Sequence, residues 1–433
     1  MKTIKKTDPV LKIPGNSIIC AKNVYFPKDT HKTQCNNNVL VIGNSGCGKT
    51  RSVVRPALLQ AEGSYVISDP KGMLYKDFKN YFESKGYKVY KLDFIHPERS
   101  IHYNPIMLCK DSQDVLKLAH AMVYASYRLG GSSKDPFWDE ATLILLSAII
   151  GFMVESPIPD SDKTIAKITK LISSGKRDKT EIDSPLKRIF DDHALYMESQ
   201  GKFSWASHRF DGFNTAAEKT YNTILLTTCA KLASFDTEEL NEMLQGNDLD
   251  FTSLGREKVA VFVETSDTDR SMDTLVNIFY TQLMNTLCDY ADNECENNAL
   301  PVPVQFILDD FATNAKIDNF ENMISNIRSR NISAMIFLQS ESQLKAVYGN
   351  SAPTIINNCN THIFMGGSEY ETVLNFARRV DKDPTSLFNM PVGSCYVYRF
   401  GSESFYSNRF ELEPFEKQCG FVSGKPCQKV NLL

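Results

Sequence analysis

The sequence of 433 residues is short of the features that mark several protein classes. None of its eleven cysteines forms a C-x-x-C pair, and with only seven histidines no ligand cluster has zinc spacing. A disulfide-stapled miniprotein and a zinc module are therefore excluded, and reduced thiols of a cytosolic chain are expected. Charge of one sign is not in excess: 48 Lys+Arg face 52 Asp+Glu, a formal −4, so the chain lacks the overall basic footprint of a protein that coats nucleic acid. Any polyanion must be met locally. No low-complexity block or fixed-period repeat occurs, which excludes a repeat fibre and a disordered tail. The opening MKTIKKTDPVLKIPG is basic but has no apolar run behind it, so no signal peptide is read there. The longest apolar run, Ala141 to Val154, falls short of the roughly 20 residues a membrane span needs and begins beside Asp139 and Glu140. It reads as a buried core helix.

What is present is ordinary globular usage, 42% hydrophobic and 23% charged, over a length that suggests about two or three domains. From Asn37 to Phe94 short β-branched runs (NNNVLVIG, SYVISD, YKVYKLDF) alternate with helices starting near Lys49 and Gly72, the rhythm of a parallel α/β sheet. Between about Asn104 and Gly255 that rhythm stops. Segments such as DSQDVLKLAHAMVYASY, DEATLILLSAIIGFMVE and SPLKRIFDDHALYMES have helical period and predict a helical insertion. The α/β rhythm resumes with KVAVFVET (258–265), a helix over about 271–290, VQFILDD (304–310), SAMIFLQ (333–339) and THIFMGG (361–367). One sheet built from two separated segments follows, its strands apolar throughout because helices cover both faces.

Gly43-Asn44-Ser45-Gly46-Cys47-Gly48-Lys49-Thr50 matches G-x-x-x-x-G-K-[ST] in full, after an apolar strand and at a helix start. Consecutive backbone N–H groups wrapping phosphates need glycine where φ is positive or a Cβ would clash. Lys49 adds a point charge, Thr50 offers its hydroxyl to Mg²⁺, and Cys47 serves as a small side chain. The magnesium shell needs a carboxylate at the end of a second strand, and Asp309 after VQFIL supplies it. Asp310 follows where a carboxylate orients the attacking water, one methylene shorter than Glu; misplacement of about 1 Å costs roughly a hundredfold in rate. Glu264, ending KVAVFVET, is a second base candidate or a structural carboxylate. Gln339 ends the next strand, where γ-phosphate sensors sit. Arg328 and Arg330 are candidates for an arginine supplied across a subunit boundary, or a solvated pair. The densest positive stretch, Lys163, Lys167, Lys170, Lys176, Arg177 and Lys179, lies in the insertion, with its first three members on one predicted helical face; it is a solvated face or a contact for DNA or cargo.

These motifs stand in one order around a helical insertion. Together with GSYVISDPKGMLY (containing Asp69-Pro70-Lys71-Gly72), HYNPI, DPFWDEA, LDDFATNAKI, IRSRNISAMIFLQSESQL and IINNCNTHIFMGG, they make residues 17–412 resemble the TraG/TraD-like coupling ATPases of conjugative type IV secretion. The resemblance implies a RecA-like nucleotide-binding domain in two segments, 1–104 and 251–433, around an all-α domain at 105–250 on the cargo side. It implies ATP on Gly43 to Thr50, Mg²⁺ held by Thr50 and Asp309, and catalytic roles for Asp310, Gln339 and Arg328 or Arg330. The implied assembly is a homo-hexameric ring that brings relaxase-bound single-stranded DNA to the channel subunits of a type IV system and drives it by ATP hydrolysis. Most members carry an N-terminal transmembrane pair, whereas here the phosphate motif already begins at Gly43. A cytoplasmic chain tethered at the inner membrane face by an anchoring partner is the expectation. A docking adaptor with slow hydrolysis and an FtsK-like translocase are the alternatives.

Overall fold

The computed structural model describes residues 11–124, 136–176 and 183–425. These divide into two compact units: Met1–Lys91 with Asp250–Thr268 and Leu283–Leu433, and Leu92–Leu249 with Asp269–Gln282.

The first unit is built on eleven strands: β1 (Ser17–Ala21), β2 (Val24–Pro27), β3 (Val39–Ile42), β4 (Ser64–Ser68), β5 (Lys88–Asp93), β6 (Val259–Glu264), β7 (Val304–Leu308), β8 (Ile332–Leu338), β9 (Thr361–Phe364), β10 (Ser394–Arg399) and β11 (Phe405–Asn408). Nine form one sheet in the order β11-β10-β9-β3-β8-β7-β4-β6-β5, while β1 and β2 form a separate hairpin. The run from β9 to β6 is parallel, and β10 and β11 add an antiparallel edge. All four residues of β3 and all six of β6 are buried, which explains their lack of polar alternation. The two hairpins, β1–β2 and β10–β11, are not anticipated by the βα rhythm. Their strands carry Tyr, Ser and Asn among the apolar residues, which hides them in the sequence.

One buried group gives this sheet a pH dependence. His362 of β9 is 4% exposed, its Nε2 pairs with the Cys359 carbonyl at 2.8 Å, and burial, seconded by the Arg379 charge, pushes its pKa down to about 4. The unfolded chain protonates this imidazole near its ordinary 6.5, so the group's contribution is complete above that pH and is lost as pH falls towards 4. His362→Gln is expected to remove up to about 3 kcal/mol of the acid-side loss of stability between those pH values, read from urea unfolding across the range.

The second unit has no strand among its described residues apart from the end of β5. Its helices include Ser112–Tyr124, Pro136–Glu155, Ile165–Ser173, Pro185–Ser199, Trp205–Asn214 and Glu218–Leu232. Ser184, Ser204 and Thr164 each cap a helix by accepting a backbone N–H. Phe190 and Phe210 stack at 4.2 Å between centroids in its core. Pro136–Glu155 is long and apolar enough by composition to cross a membrane, and 56% of its apolar window is buried within the protein. Against the boundaries expected at 104/105 and 250/251, the helical unit begins at Leu92, ends its main segment at Leu249 and also takes in Asp269–Gln282. The Tyr103 hydroxyl donates to Gln282 at 2.7 Å, Tyr103 meets Phe279 edge-on, and Gln282 donates to the Pro105 carbonyl at 2.9 Å. These contacts between distant segments have no signature in local periodicity.

Candidate functional site

The site begins where β3 ends. Gly43 N–H donates to the Leu338 carbonyl at 3.0 Å and Met365 N–H to the Ile42 carbonyl at 2.8 Å, so the loop leaves the sheet from between β8 and β9. Gly46 and Gly48 have φ of +74° and +84°, and a Cβ on Gly43 would lie 2.6 Å from Cys47 Sγ and 3.1 Å from Met365 Cβ. Each glycine thus meets a conformational or steric need, and Cys47 fills the space that Gly43 leaves. The Lys49 side chain is buried and donates to the carbonyls of Gly43 at 2.7 Å and Asn44 at 3.4 Å. The helix that follows opens with a wide turn in which Arg55 N–H bonds back to the Thr50 carbonyl. Pro56 explains that turn, since its ring has no N–H to donate to the Ser52 carbonyl and crowds it. A helix start of this kind is a natural anion position, because its first N–H groups have no carbonyl of the helix before them.

Thr50 Oγ1 donates to Asp309 Oδ2 at 3.2 Å, bringing residues from two chain segments together. Burial first, and then the Asp310 charge, push the Asp309 carboxyl above its usual range, with Lys49 pulling the other way. A hydroxyl and a carboxylate oxygen this close are a hard-oxygen donor pair of the kind magnesium takes, with phosphate and water completing the shell. The residues present fit that ion. Asp310 has φ of +47° and donates its N–H to Asp309 Oδ1 at 3.0 Å. Aspartate is among the few side chains that tolerate this left-handed backbone, a local reason for Asp over Glu that the motif alone does not show. Asn314 Nδ2 ties the region together, donating to Ser68 Oγ at 3.0 Å and to the Asp309 carbonyl at 2.8 Å.

Gln339 directly follows β8, the strand between β3 and β7. With Leu338 in register with Ile42, it stands level with Gly43 and beside the Asp309–Asp310 end of β7. Glu264 does not join this group. It ends β6, two strands beyond β7 and so about 10 Å along the sheet from Asp309. Its Oε2 is 2.6 Å from Lys91 Nζ, and its carboxylate fills the space a Cβ on Gly72 would need, 1.9 Å from Oε1. Of its two readings, base or structural carboxylate, this position supports the structural one, beneath the Asp69–Gly72 turn. That turn is itself a helix start: Gly72 has φ of +60°, and Asp69 accepts the N–H groups of Met73 at 3.1 Å and Tyr75 at 2.8 Å.

The two arginines lie in the turn Ile327–Arg330 before β8, at the opposite end of the strands from Gln339, more than about 20 Å away along β8. Arg330 is held by Asp292 through two hydrogen bonds of 2.9 and 2.6 Å. Arg328 is exposed and donates to the Thr30 carbonyl at 3.1 Å; it lines a polar cavity of about 340 Å³ with Lys28, Asp29 and His31. Neither reaches this chain's own phosphate loop. In the helical unit Lys163 precedes its helix, because Thr164 is the cap, so only Lys167 and Lys170 share a helical face. Lys163 pairs with Asp160 at 2.9 Å and Lys167 lies 3.8 Å from Asp162, whereas Lys170 and Lys176 are exposed. Arg177 and Lys179 fall outside the described residues.

Comparison with known proteins agrees with this geometry. Residues 7–382 match the family described as type IV secretory system conjugative DNA transfer. Protein VirD4 of Agrobacterium fabrum (strain C58 / ATCC 33970) is 23% identical over 346 residues, covering 77% of this chain and 48% of that protein. Protein VirD4 of Rhizobium rhizogenes is also 23% identical, covering 77% of this chain and 47% of its own length. The chain therefore spans about half the length of the curated relatives it matches. Among solved structures, the unbound conjugative coupling protein TrwBdeltaN70 aligns with a TM-score of 0.65 at 15% identity, covering 96% of this chain and 91% of that one. TrwB in complex with ADP and Mg²⁺ aligns with a TM-score of 0.62 at 15% identity, covering 95% and 93%. These likenesses establish the RecA-like P-loop fold, and the match over 7–382 establishes the kinship: the chain belongs to the type IV secretory system conjugative DNA transfer family.

Proposed function

We propose that this chain is an ATP-driven coupling protein, which binds Mg-ATP, receives relaxase-bound single-stranded DNA and passes it to a type IV channel. The observation that carries the reading is the convergence of Thr50 and Asp309, 3.2 Å apart, beside a glycine-built phosphate loop. Relatives named VirD4, and TrwB structures holding ATP and GTP analogues or ADP with Mg²⁺, support it. The active form is a homo-hexamer at the cytoplasmic membrane face, with exposed Lys170 and Lys176 as candidate cargo contacts. A ring focuses field in its pore, so a few lysines per copy grip phosphates despite the net negative chain.

In this mechanism the Lys49 ammonium leaves the Gly43 and Asn44 carbonyls for the β- and γ-phosphates. Thr50 and Asp309 would hold the metal, which would supply charge neutralisation at the phosphates. Asp310 orients the attacking water, Gln339 reports the γ-phosphate, and Arg328 approaches the site of a neighbouring subunit. Arg328 is preferred to Arg330 because Asp292 already takes Nε and Nη2 of the latter and the Asn326 carbonyl its Nη1.

The short Asp310 side chain, on a left-handed backbone, favours a second reading, a nucleotide-gated docking adaptor with slow hydrolysis. If the carboxylate's reach is limiting, Asp310→Glu raises turnover by about tenfold or more despite the left-handed backbone. A streptavidin-displacement assay on end-labelled single-stranded DNA separates the readings. The motor clears streptavidin only with hydrolysable ATP; an adaptor retains DNA and clears nothing.

A further inference from the structure

The phosphate loop is gripped from behind by a residue beyond the segment matched to the family. Arg409 follows β11 and donates Nη1 to the Cys47 carbonyl, Nη2 to the Met365 carbonyl at 2.8 Å and Nε to the Ser394 carbonyl at 3.3 Å. All three acceptors are backbone, and they belong to the loop, the end of β9 and the start of β10. The Cys47–Gly48 peptide is trans, so its carbonyl and N–H point in opposite directions. Anchoring the Cys47 carbonyl on Arg409 therefore turns the Gly48 N–H away from the guanidinium and into the phosphate nest. With φ of +84°, Gly48 lacks the steric restraint that would otherwise fix this plane. The next segment continues the grip: Arg51 pairs with Glu413 and Arg55 with Glu416 at 3.1 Å, while Phe421 packs on Phe78 at 4.7 Å.

We propose that Arg409 is a positioning residue that presets the Cys47–Gly48 peptide for phosphate binding, making the C-terminal hairpin and helix part of the nucleotide site. The proposal rests on the Mg-ATP reading above. The arginine fork matters as well as its charge, because three carbonyls in fixed directions need three planar donors.

The test is Mg-ATP titration and steady-state turnover of the full chain carrying Arg409→Ala, Arg409→Lys or Lys49→Ala. Losing a charge-assisted anchor is expected to raise Kd and KM roughly 10- to 100-fold in Arg409→Ala. Because ground and transition states share the contact, kcat stays within about threefold. Arg409→Lys, with one point donor set, should fall between the two. Free guanidinium at millimolar concentration should lower the Kd of Arg409→Ala while leaving the wild type unmoved. A merely structural role would instead reduce the folded fraction and kcat at unchanged Kd. Wild-type affinity in Arg409→Ala overturns the proposal; if that variant does not fold, wild-type affinity in Arg409→Lys overturns it equally. Failure of the underlying reading looks different, with no Mg-ATP binding by the wild type or none lost in Lys49→Ala.

Discussion

Lys49→Ala is expected to weaken Mg-ATP binding by about 100-fold or more and to bring turnover to background. The residue is 7% exposed, and its ammonium already lies against the loop carbonyls of Gly43 and Asn44. A charge held there gains more from phosphates than it would in water, and each charge-assisted hydrogen bond is worth about 1.5–3 kcal/mol. Two such bonds account for the expected loss. Because the substitution also removes the bond to Gly43, isothermal titration should be paired with thermal unfolding in the absence of nucleotide. Reduced affinity at an unchanged melting temperature assigns the effect to the phosphates.

Arg328→Ala should leave nucleotide affinity of the isolated chain unchanged and reduce turnover of the assembled form by about 10³-fold, the scale of an arginine supplied across a boundary. The side chain is exposed, donates to the Thr30 carbonyl, and stands at the end of the strands away from its own loop. Arg330→Ala should behave differently, since removing it strands Asp292 and affects stability before rate. Mixing discriminates further. Lys49→Ala and Arg328→Ala are each expected to be nearly inactive alone, but a ring containing both unites an intact Lys49 with an intact Arg328 at some of its sites. Recovered turnover on mixing places the arginine in trans, and no recovery places its effect within one chain.

Much of this architecture is legible in the sequence because the βα rhythm and the phosphate motif are local patterns. Strands β3, β4 and β6 to β9 fall within the apolar runs that predict them, or one residue from them. The glycines of the loop are explained by φ at positions 46 and 48 and by the Cys47 contact at 43, as the motif requires. Residues that fail to follow expectation are those decided by partners far along the chain. Glu264 ends a strand as a base should, yet sheet order sets it two strands from Asp309 and gives it Lys91. Lys163 has helical spacing with its neighbours, but the Thr164 cap puts it outside the helix. The left-handed backbone at Asp310 and the grip of Arg409 on Cys47 have no local pattern at all. The latter links residues 362 positions apart.

The most direct test of ATP-driven DNA transfer is turnover by the full chain with and without single-stranded DNA, with Lys49→Ala as the blank. Turnover above the blank that rises on adding DNA is the predicted result. Turnover no higher than the blank under both conditions, with Mg-ATP still bound, would contradict the motor and leave the docking adaptor.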